Sequence, residues 1–370
     1  MHIVPMAGAD TRFLGGSARG RHARLAVRVG ATFTTLEALA PDSSDTVVLV
    51  PAQSALMRPL FADPAFLDAA RLEQATRLEA STGAFVIVGP ARLVVPLAAR
   101  LDALSTLPRR TLGPGTLLNI GTASDRWTAT HEALLATQKA TDGWVSRTFN
   151  RPISRACSRV ALAAGLSATG ASLVTLLLGL LCAWVAAQPG YLAFVGTGLL
   201  FQLASVLDGV DGEIARATFT ESERGARVDT IVDQLTYLTS FAGMTIGWVR
   251  EGSGTTALWF TVAIGAALVL TLLRAGRFVA AHASNASFVI IDRSVRRAAR
   301  DTGLATLRLA ALLFTLLRRD LFAVLFLAVS LTGQRAAVPV LILAGTLVAN
   351  LTFSLHGREM AEAARAEVAG

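Results

Sequence analysis

The chain contains few cysteines, and fewer charged residues than soluble proteins usually have. Only two of its 370 residues are cysteines. Cys157 and Cys182 form neither a C-x-x-C pair nor a metal-ligand spacing, which leaves packing as their expected role. Charged residues make up 16% of the chain and hydrophobic residues 53%, with a mean hydropathy of +0.53. This composition argues against an entirely soluble protein and predicts a membrane protein with a soluble part.

Long hydrophobic runs are absent from the first third of the chain. Before about Lys139 no apolar run approaches the ~20 residues that a transmembrane helix needs, whereas several do so afterwards. We therefore predict an α-helical integral membrane domain of six transmembrane helices, preceded by a soluble α/β domain of three layers. The predicted spans are residues 169–187, 191–210, 228–249, 255–279, 317–331 and 337–355.

Arginines are concentrated on one side of these predicted spans. The segments before the first span, between the second and third, and between the fourth and fifth are arginine-rich, whereas the alternating loops are short. The positive-inside rule then places both termini and the four-aspartate site described below in the cytoplasm. We expect the protein in a bacterial-type inner (plasma) membrane. The net charge is +8, and we expect anionic lipid headgroups to bind most of the arginines and substrate phosphate to bind others. Nucleic acid is not an expected partner, because no aromatic residues interleave the arginines.

Four aspartates lie where the second predicted span ends and the third begins. Asp208 and Asp211 are three residues apart, and Asp229 and Asp233 are four apart. On helices these spacings put each pair on one face, so two antiparallel helices can direct four carboxylates into one space. Because adjacent carboxylates repel one another, the cluster predicts bound divalent cations. Ligand sets made only of oxygen favour Mg²⁺ or Mn²⁺, allow Ca²⁺ and disfavour zinc.

The aspartates belong to a longer pattern, D-x-x-D-G-x-x-A-R-x8-G-x3-D-x3-D, which also contains Gly212, Ala215, Arg216 and Gly225. The glycines allow a backbone or ligand to approach closely, and the arginine offers a planar fork to phosphate. In every defined position this string resembles the signature of the CDP-alcohol phosphotransferase family. The resemblance implies a membrane enzyme of phospholipid biosynthesis, commonly a homodimer, that transfers a phosphate-linked group from a CDP-alcohol to an acceptor hydroxyl and releases CMP.

The resemblance also implies a role for each acidic residue of the pattern. Asp208, Asp211, Asp229 and Asp233 would bind a two-metal centre of Mg²⁺ or Mn²⁺ that bridges the diphosphate. Asp229 and Asp233 are the implied catalytic residues, with Asp233 as the base for the acceptor hydroxyl.

The implied nucleotide site uses the remaining residues of the pattern. By the resemblance, Gly212, Ala215 and Gly225 line the cytidine and diphosphate site, and Arg216 assists the phosphates. Many relatives carry T-P-N-x-x-T at the start of the first span, where this chain reads S-A-T-G-A-S. The hydroxyls of Thr169 and Ser172 would substitute there.

Residues 1–138 form the predicted α/β domain. An amphipathic juxtamembrane helix follows at 139–165, then the membrane domain at 166–358 and a cytoplasmic tail at 359–370. Within the α/β domain, apolar runs predict buried parallel strands at 2–7, 46–52, 84–90 and 116–120, with helices at 65–79, 91–104 and 123–136.

Two segments of this domain resemble sugar-phosphate nucleotidyltransferases. The opening P-M-A-G-A-D-T-R-F, residues 5–13, resembles their glycine-rich nucleotide loop. N-I-G-T-A-S-D, residues 119–125, resembles the D-x-D-T-x-x-D segment of such domains fused to CDP-alcohol phosphotransferases. Asn119 and Gly121 replace two aspartates, and a nucleotidyltransferase needs carboxylates for its metal. We therefore predict a degenerate domain, kept for structure, docking or ligand sensing.

Several alternatives remain open at this point. The donor is CDP-diacylglycerol or a soluble CDP-polyol, as in di-inositol phosphate phosphate synthases, and the acceptor is inositol, inositol phosphate, glycerol phosphate, serine or another polyol. A different hypothesis is a cation transporter or channel with the four aspartates as its ion site. Arg216 and the motif glycines have no task in cation passage, and the aspartates lie near the membrane boundary. A third, an active cytidylyltransferase, requires the acidic residues that Asn119 and Gly121 replace.

Overall fold

The computed structural model describes residues 1–6, 10–40, 43–98, 102–139, 142–282, 289–316 and 318–368. Parts of six predicted segments lie outside the described residues, namely 7 of the first strand, 7–9 of the glycine loop, 99–101 of the helix at 91–104, 140–141 of the juxtamembrane helix, 317 of the fifth span and 369–370 of the tail. The chain forms two compact units. The first comprises Met1–Asp142, Arg151–Leu173 and Leu207–Asp229, and the second comprises Gly143–Asn150, Val174–Val206 and Thr230–Gly370.

A six-stranded mixed sheet forms the centre of the first unit. The strands are β1 (His2–Pro5), β2 (Arg12–Phe13), β3 (Gly16–Ser17), β4 (Thr32–Phe33), β5 (Thr46–Val50), β6 (Ser54–Leu56), β7 (Thr76–Glu79), β8 (Phe85–Pro90), β9 (Arg109–Thr111) and β10 (Leu117–Asn119). The sheet order is β4-β1-β5-β8-β7-β9. β1 is parallel to β4 and β5, β7 is parallel to β9, and β8 is antiparallel to β5 and β7. Two short antiparallel pairs, β2-β3 and β6-β10, complete the strands.

Helices cover both faces of this sheet. They are α1 (Ala18–Arg28), α2 (Pro64–Arg71) and α3 (Ala91–Ala98). A further helix, α4 (Ala123–Leu135), packs instead in a cluster with Ala55 of β6 and Leu118 of β10. Successive strand residues point to opposite faces, so Val48 lies in one buried cluster with Leu25 of α1 and Phe66 of α2. Its neighbour Val47 lies in another cluster with Val94 of α3. The prediction of an α/β domain in three layers is confirmed.

Two details of the predicted domain are wrong. Residues 84–90 and 116–120 do not form parallel strands, since β8 and β10 are antiparallel to their partners. β8 follows β7 through a tight turn in which Gly83 has a φ of +79°, and such a hairpin can join only antiparallel strands. The helix predicted at 65–79 ends at Arg71, because Thr76–Glu79 alternates buried and half-buried residues and pairs as β7.

The rest of the described chain is helical. The helices are α5 (Arg151–Ala163), α6 (Ala168–Ala186), α7 (Tyr191–Thr218), α8 (Glu223–Trp248), α9 (Gly254–His282), α10 (Val289–Thr302), α11 (Ala305–Leu316), α12 (Arg319–Leu331) and α13 (Ala337–Val368). α5 belongs to the first unit, and α9 to α13 belong to the second. α6, α7 and α8 each contribute residues to both units.

Four stretches of the described chain are long and apolar enough to cross a membrane, and they are Ala168–Ala186, Tyr191–Thr218, Glu223–His282 and Ala337–Ala366. The third contains α8 and α9, joined at Val249–Ser253, where Gly252 has a φ of +90°. Ala305–Thr315 and Asp320–Leu331 are apolar but shorter. The prediction of a helical membrane region after an α/β domain is confirmed, and the count of six spans stays a prediction.

Helices of the second unit pack through small residues and aromatic rings. A Cβ on Gly179 of α6 would lie 2.6 Å from Thr236 Oγ1 of α8, so the glycine permits the close approach of these helices. Cys182 is fully buried in a cluster with Phe194 and Phe326, as its predicted packing role requires. Many large apolar side chains of these helices are exposed in the chain alone, as a lipid-facing surface requires.

Candidate active site

The C-terminal end of α7 carries the first half of the aspartate pattern. The helix ends at Thr218, and the next residue, Phe219, has a φ of +57° in the left-handed region. The N–H of Thr220 then donates to the carbonyl of Ala215, which satisfies one of the last carbonyls of the helix. The guanidinium of Arg21 lies 4.3 Å from the centre of the Phe219 ring and stabilises this conformation.

The second half of the pattern starts with α8, only four residues later. Ser222 caps this helix, because its Oγ accepts a hydrogen bond of 3.0 Å from the N–H of Gly225. A Cβ on Gly225 would lie 3.3 Å from the same Oγ, so a larger residue would crowd the cap. The short connection thus brings Asp229 of α8 back towards Asp208 of α7.

A cavity of about 560 Å³ lies between these helix ends, within the first unit. It is lined by every site residue predicted from the sequence except Asp233. The predicted residues that line it are Thr169, Ser172, Asp208, Asp211, Gly212, Ala215, Arg216, Gly225 and Asp229. Lys139, Arg151 and Arg24 line it as well.

Carboxylate oxygens converge beside this cavity. Asp229 offers an oxygen within 4.8 Å of an oxygen of Asp208. Asp233 lies one turn further along α8. Asp211 is buried and accepts a hydrogen bond of 2.5 Å from Ser172 Oγ. An all-oxygen donor set fits a hard divalent cation such as Mg²⁺ or Mn²⁺. The structure therefore supports a metal-binding acidic cluster, while the identity of the metal stays a prediction.

Gly212 and Arg216 of the motif lie one helical turn apart at the wall of the cavity. A Cβ on Gly212 would lie 2.9 Å from Nη1 of Arg216, one helical turn away, so a side chain there would displace the guanidinium. Arg216 Nε donates to the carbonyl oxygen of Thr137 over 3.1 Å. This bond uses one donor of the guanidinium and fixes it at the cavity wall.

A buried ion pair that the sequence analysis missed holds α5 against α7. Glu213 is 1% exposed and accepts hydrogen bonds from Arg151 (3.1 Å), Ser154 (2.6 Å) and Ser158 (2.6 Å). Arg151 also binds Asp142 at 2.8 Å. Burial alone lowers the pKa of Arg151, but the hydrogen bonds and charges of Asp142 and Glu213 raise it above its ordinary value. Glu213 occupies an undefined position of the motif, so the pattern gave it no role.

The nucleotidyltransferase-like residues have different surroundings. Asn119 Oδ1 accepts a hydrogen bond of 3.0 Å from the N–H of Gly121, which closes a local turn. Asp125 forms a capping box with Thr122 at the start of α4, and these hydrogen bonds lower the pKa of Asp125. Asp10 accepts hydrogen bonds from Ser17 and from the N–H of Arg19 at the start of α1. Both carboxylates serve as helix caps.

A comparison with known families decides what the helical segment is. The model of the CDP-alcohol phosphatidyltransferase family matches residues 162–333, which include the whole aspartate pattern. This segment is a CDP-alcohol phosphatidyltransferase domain. The resemblance predicted from the motif is confirmed.

Curated relatives of the chain carry the name bifunctional IPC transferase and DIPP synthase. The protein from Thermococcus kodakarensis is 36% identical over 127 residues, which cover 34% of this chain and 27% of the relative. The Archaeoglobus fulgidus protein is 32% identical over 141 residues, 38% of this chain and 28% of the relative. That from Rubrobacter xylanophilus is 33% identical over 172 residues, 46% and 37%. The matches thus span about a quarter to two fifths of these relatives, and with the family match they indicate a transferase.

Proposed function

We propose that the protein is a membrane transferase that moves a phosphoalcohol group from a CDP-alcohol to the hydroxyl of a polar acceptor and releases CMP. One observation carries the proposal. The cavity of about 560 Å³ is lined by carboxylates of α7 and α8 and by Arg216, all of which belong to the family-matched segment. A site of this size and polarity suits a nucleotide diphosphate.

The proposed reaction is a displacement at phosphorus. The acceptor oxygen forms a bond to the phosphorus that bears the donor alcohol, the bond from that phosphorus to the bridging oxygen breaks, and CMP leaves. Asp233 accepts the proton of the acceptor hydroxyl, and Arg216 binds a donor phosphate. The four motif aspartates hold the divalent cations, and bound Mg²⁺ or Mn²⁺ would neutralise the diphosphate and the leaving CMP.

Two donors remain candidates. CDP-diacylglycerol would make the protein an enzyme of phospholipid biosynthesis. The names of the relatives contain DIPP synthase, which favours a soluble CDP-polyol donor at least as well. The proposal extends to active-site residues and termini on the cytoplasmic side of an inner membrane, and to a homodimer.

The α/β domain is proposed to be catalytically inactive as a nucleotidyltransferase. Asn119 and Gly121 stand where that chemistry needs carboxylates, and Asp125 already caps α4. We also propose that the α/β domain ends near residue 138.

CMP release tests the proposed function. The full-length protein in detergent is given Mg²⁺ or Mn²⁺, with CDP-diacylglycerol or CDP-inositol as donor. The acceptors are inositol, inositol phosphate, glycerol phosphate and serine, and Asp233→Asn is the control. We expect CMP release that depends on one acceptor and is lost in the control. A folded protein that releases no CMP from any pair and does not bind CDP would contradict the proposal.

A further inference from the structure

Helix α1 of the α/β domain binds the end of the motif helix α7. Arg21, Arg24 and Arg28 are spaced by three and four residues, which places them on one face of α1. Each donates a hydrogen bond to a backbone carbonyl at or just after the end of α7, where cations are favoured by the helix dipole. The accepting carbonyls belong to Ala217, Thr218 and Glu221, respectively.

Arg21 is the most deeply buried of the three arginines in this contact. It is 1% exposed, and its Nη1 donates to the carbonyl of Leu56 over 2.6 Å while its Nε donates to Ala217 over 3.0 Å. Burial and the nearby charge of Arg24 lower the pKa of Arg21 to about 9, which leaves it protonated at neutral pH. The position of α1 relative to the end of α7 is thereby set within the first unit.

The turn before α1 reaches the same cavity. Leu14 and Gly15 join β2 to β3 with φ values of +52° and +75°, the conformation of a tight two-residue hairpin. A Cβ on Gly15 would lie 2.8 Å from the carbonyl oxygen of Leu162 in α5, so only glycine fits there. Leu14, Gly15 and Gly16 all line the cavity. The α/β domain therefore supplies part of the wall of the transferase pocket.

Arg24 brings a positive charge to this wall. It is half-buried and lines the cavity, and its Nε donates to Thr218 over 2.8 Å. Among the described residues it forms no ion pair, whereas Arg151 in the same cavity binds Asp142 and Glu213, and Arg28 lies 3.9 Å from Glu221. Burying a charge without a partner is unfavourable, so an anion in the cavity would stabilise it.

We propose that Arg24 is a specificity-determining residue that binds a phosphate group of the substrate. The inference rests on the proposed function. A guanidinium presents two parallel N–H donors to a phosphate, and among the side-chain nitrogens of Arg24 only Nε donates a hydrogen bond within the described part of the chain. The phosphate belongs either to a phosphorylated acceptor or to the diphosphate of the donor, which share this chemistry.

The test compares Arg24→Gln with Arg28→Gln in the full-length protein. Both changes remove one arginine from the same face of α1, but Arg28 does not line the cavity. We expect Arg24→Gln to raise the KM of the substrate that carries the bound phosphate roughly 10- to 100-fold, the effect of one charge-assisted hydrogen bond. Arg24→Lys should recover part of this loss. A raised KM for inositol phosphate identifies the acceptor, and a raised KM for the CDP-alcohol identifies the donor. Arg28→Gln should leave both constants within about twofold.

Calorimetry of inorganic phosphate binding keeps this test separate from the proposed function. The wild-type protein should bind phosphate more tightly than Arg24→Gln, even if none of the donors tested is turned over. Thermal unfolding of each variant identifies any that fails to fold. If folded Arg24→Gln matches Arg28→Gln in both KM values and in phosphate affinity, the role of Arg24 is refuted. If the wild type releases no CMP but phosphate binding depends on Arg24, only the proposed reaction fails.

Discussion

Two sets of acidic residues in the first unit have contrasting surroundings. Asp208 and Asp229 line a cavity, and their carboxylate oxygens approach each other within 4.8 Å. Asp10 and Asp125 instead accept hydrogen bonds at the starts of α1 and α4. Carboxylates that repel one another around a cavity are suited to bind cations, whereas carboxylates that accept backbone N–H groups stabilise a helix. This difference supports the proposal that the aspartate pattern of α7 and α8 is catalytic and that the nucleotidyltransferase-like segments of the α/β domain are not.

The arginines of the cavity show the same contrast. Arg151 binds two carboxylates and holds α5 against α7. Arg24 and Arg216 form no ion pair among the described residues and present their charges to the cavity. A charge that is already paired has a structural role, and one that is not can bind substrate.

The largest expected effect distinguishes the two sets of acids directly. Asp229→Asn should lower the rate of CMP release about a thousandfold, since a loss of ~4 kcal/mol is the scale of one metal contact to a reacting phosphate. Asp125→Ala, the matched control, should stay within about twofold of the wild type. Equal losses in both variants would remove the distinction.

The next effect concerns the buried ion pair. Glu213→Ala leaves Arg151 and two serine hydroxyls short of an acceptor, and should lower the free energy of unfolding by about 3 kcal/mol. Unfolding by denaturant in detergent measures it. Glu223→Ala is the control, because Glu223 is exposed on α8 and its ion pair with Arg227 is worth little. Similar stability of the two variants would refute the structural role of Glu213.

An effect that is confined to acid pH, and absent at neutral pH, is expected at His22 of α1. Burial, with the charge of Arg21, lowers the pKa of His22 to about 3, although Asp10 opposes this. Its Nε2 accepts from the N–H of Leu56 over 3.3 Å, which requires the neutral ring. The unfolded chain protonates near pH 6.5, so stability is full above that pH and falls by up to ~1.4 kcal/mol per unit towards pH 3.

The variant His22→Gln isolates this contribution. In the same pH window its unfolding free energy should fall less steeply than that of the wild type. Parallel curves for the two proteins would show that His22 does not titrate as described.

The smallest expected effect is the stability change of the cap. Asp125→Ala should lower the free energy of unfolding slightly, because it removes the half of the capping box in which the N3 carboxylate accepts the N–H of Thr122. No change in stability would show that Asp125 does not cap α4. A large change in CMP release would show that it also has a role in the reaction.

The sequence predicted most of the cavity, because the motif residues are close along two helices joined by a short turn. The pattern of short apolar runs also predicted where strands β1, β5, β8 and β10 lie in the chain. It did not predict the direction of β8, since a buried apolar run is compatible with either strand direction. Arg24 was missed because its partner Thr218 lies 194 residues away. No local pattern connects α1 to the end of α7, and Glu213 stands at a position that the motif leaves undefined.

Calorimetry of CDP binding tests the central claim most directly, namely that the cavity between α7 and α8 holds a metal-bound CDP group. The wild type should bind CDP in the presence of Mg²⁺ or Mn²⁺ and much more weakly when the metal is chelated. Asp229→Asn should lose the metal-dependent part, and Asp125→Ala should keep it. CDP affinity that is unchanged both by chelation and by Asp229→Asn would contradict the account.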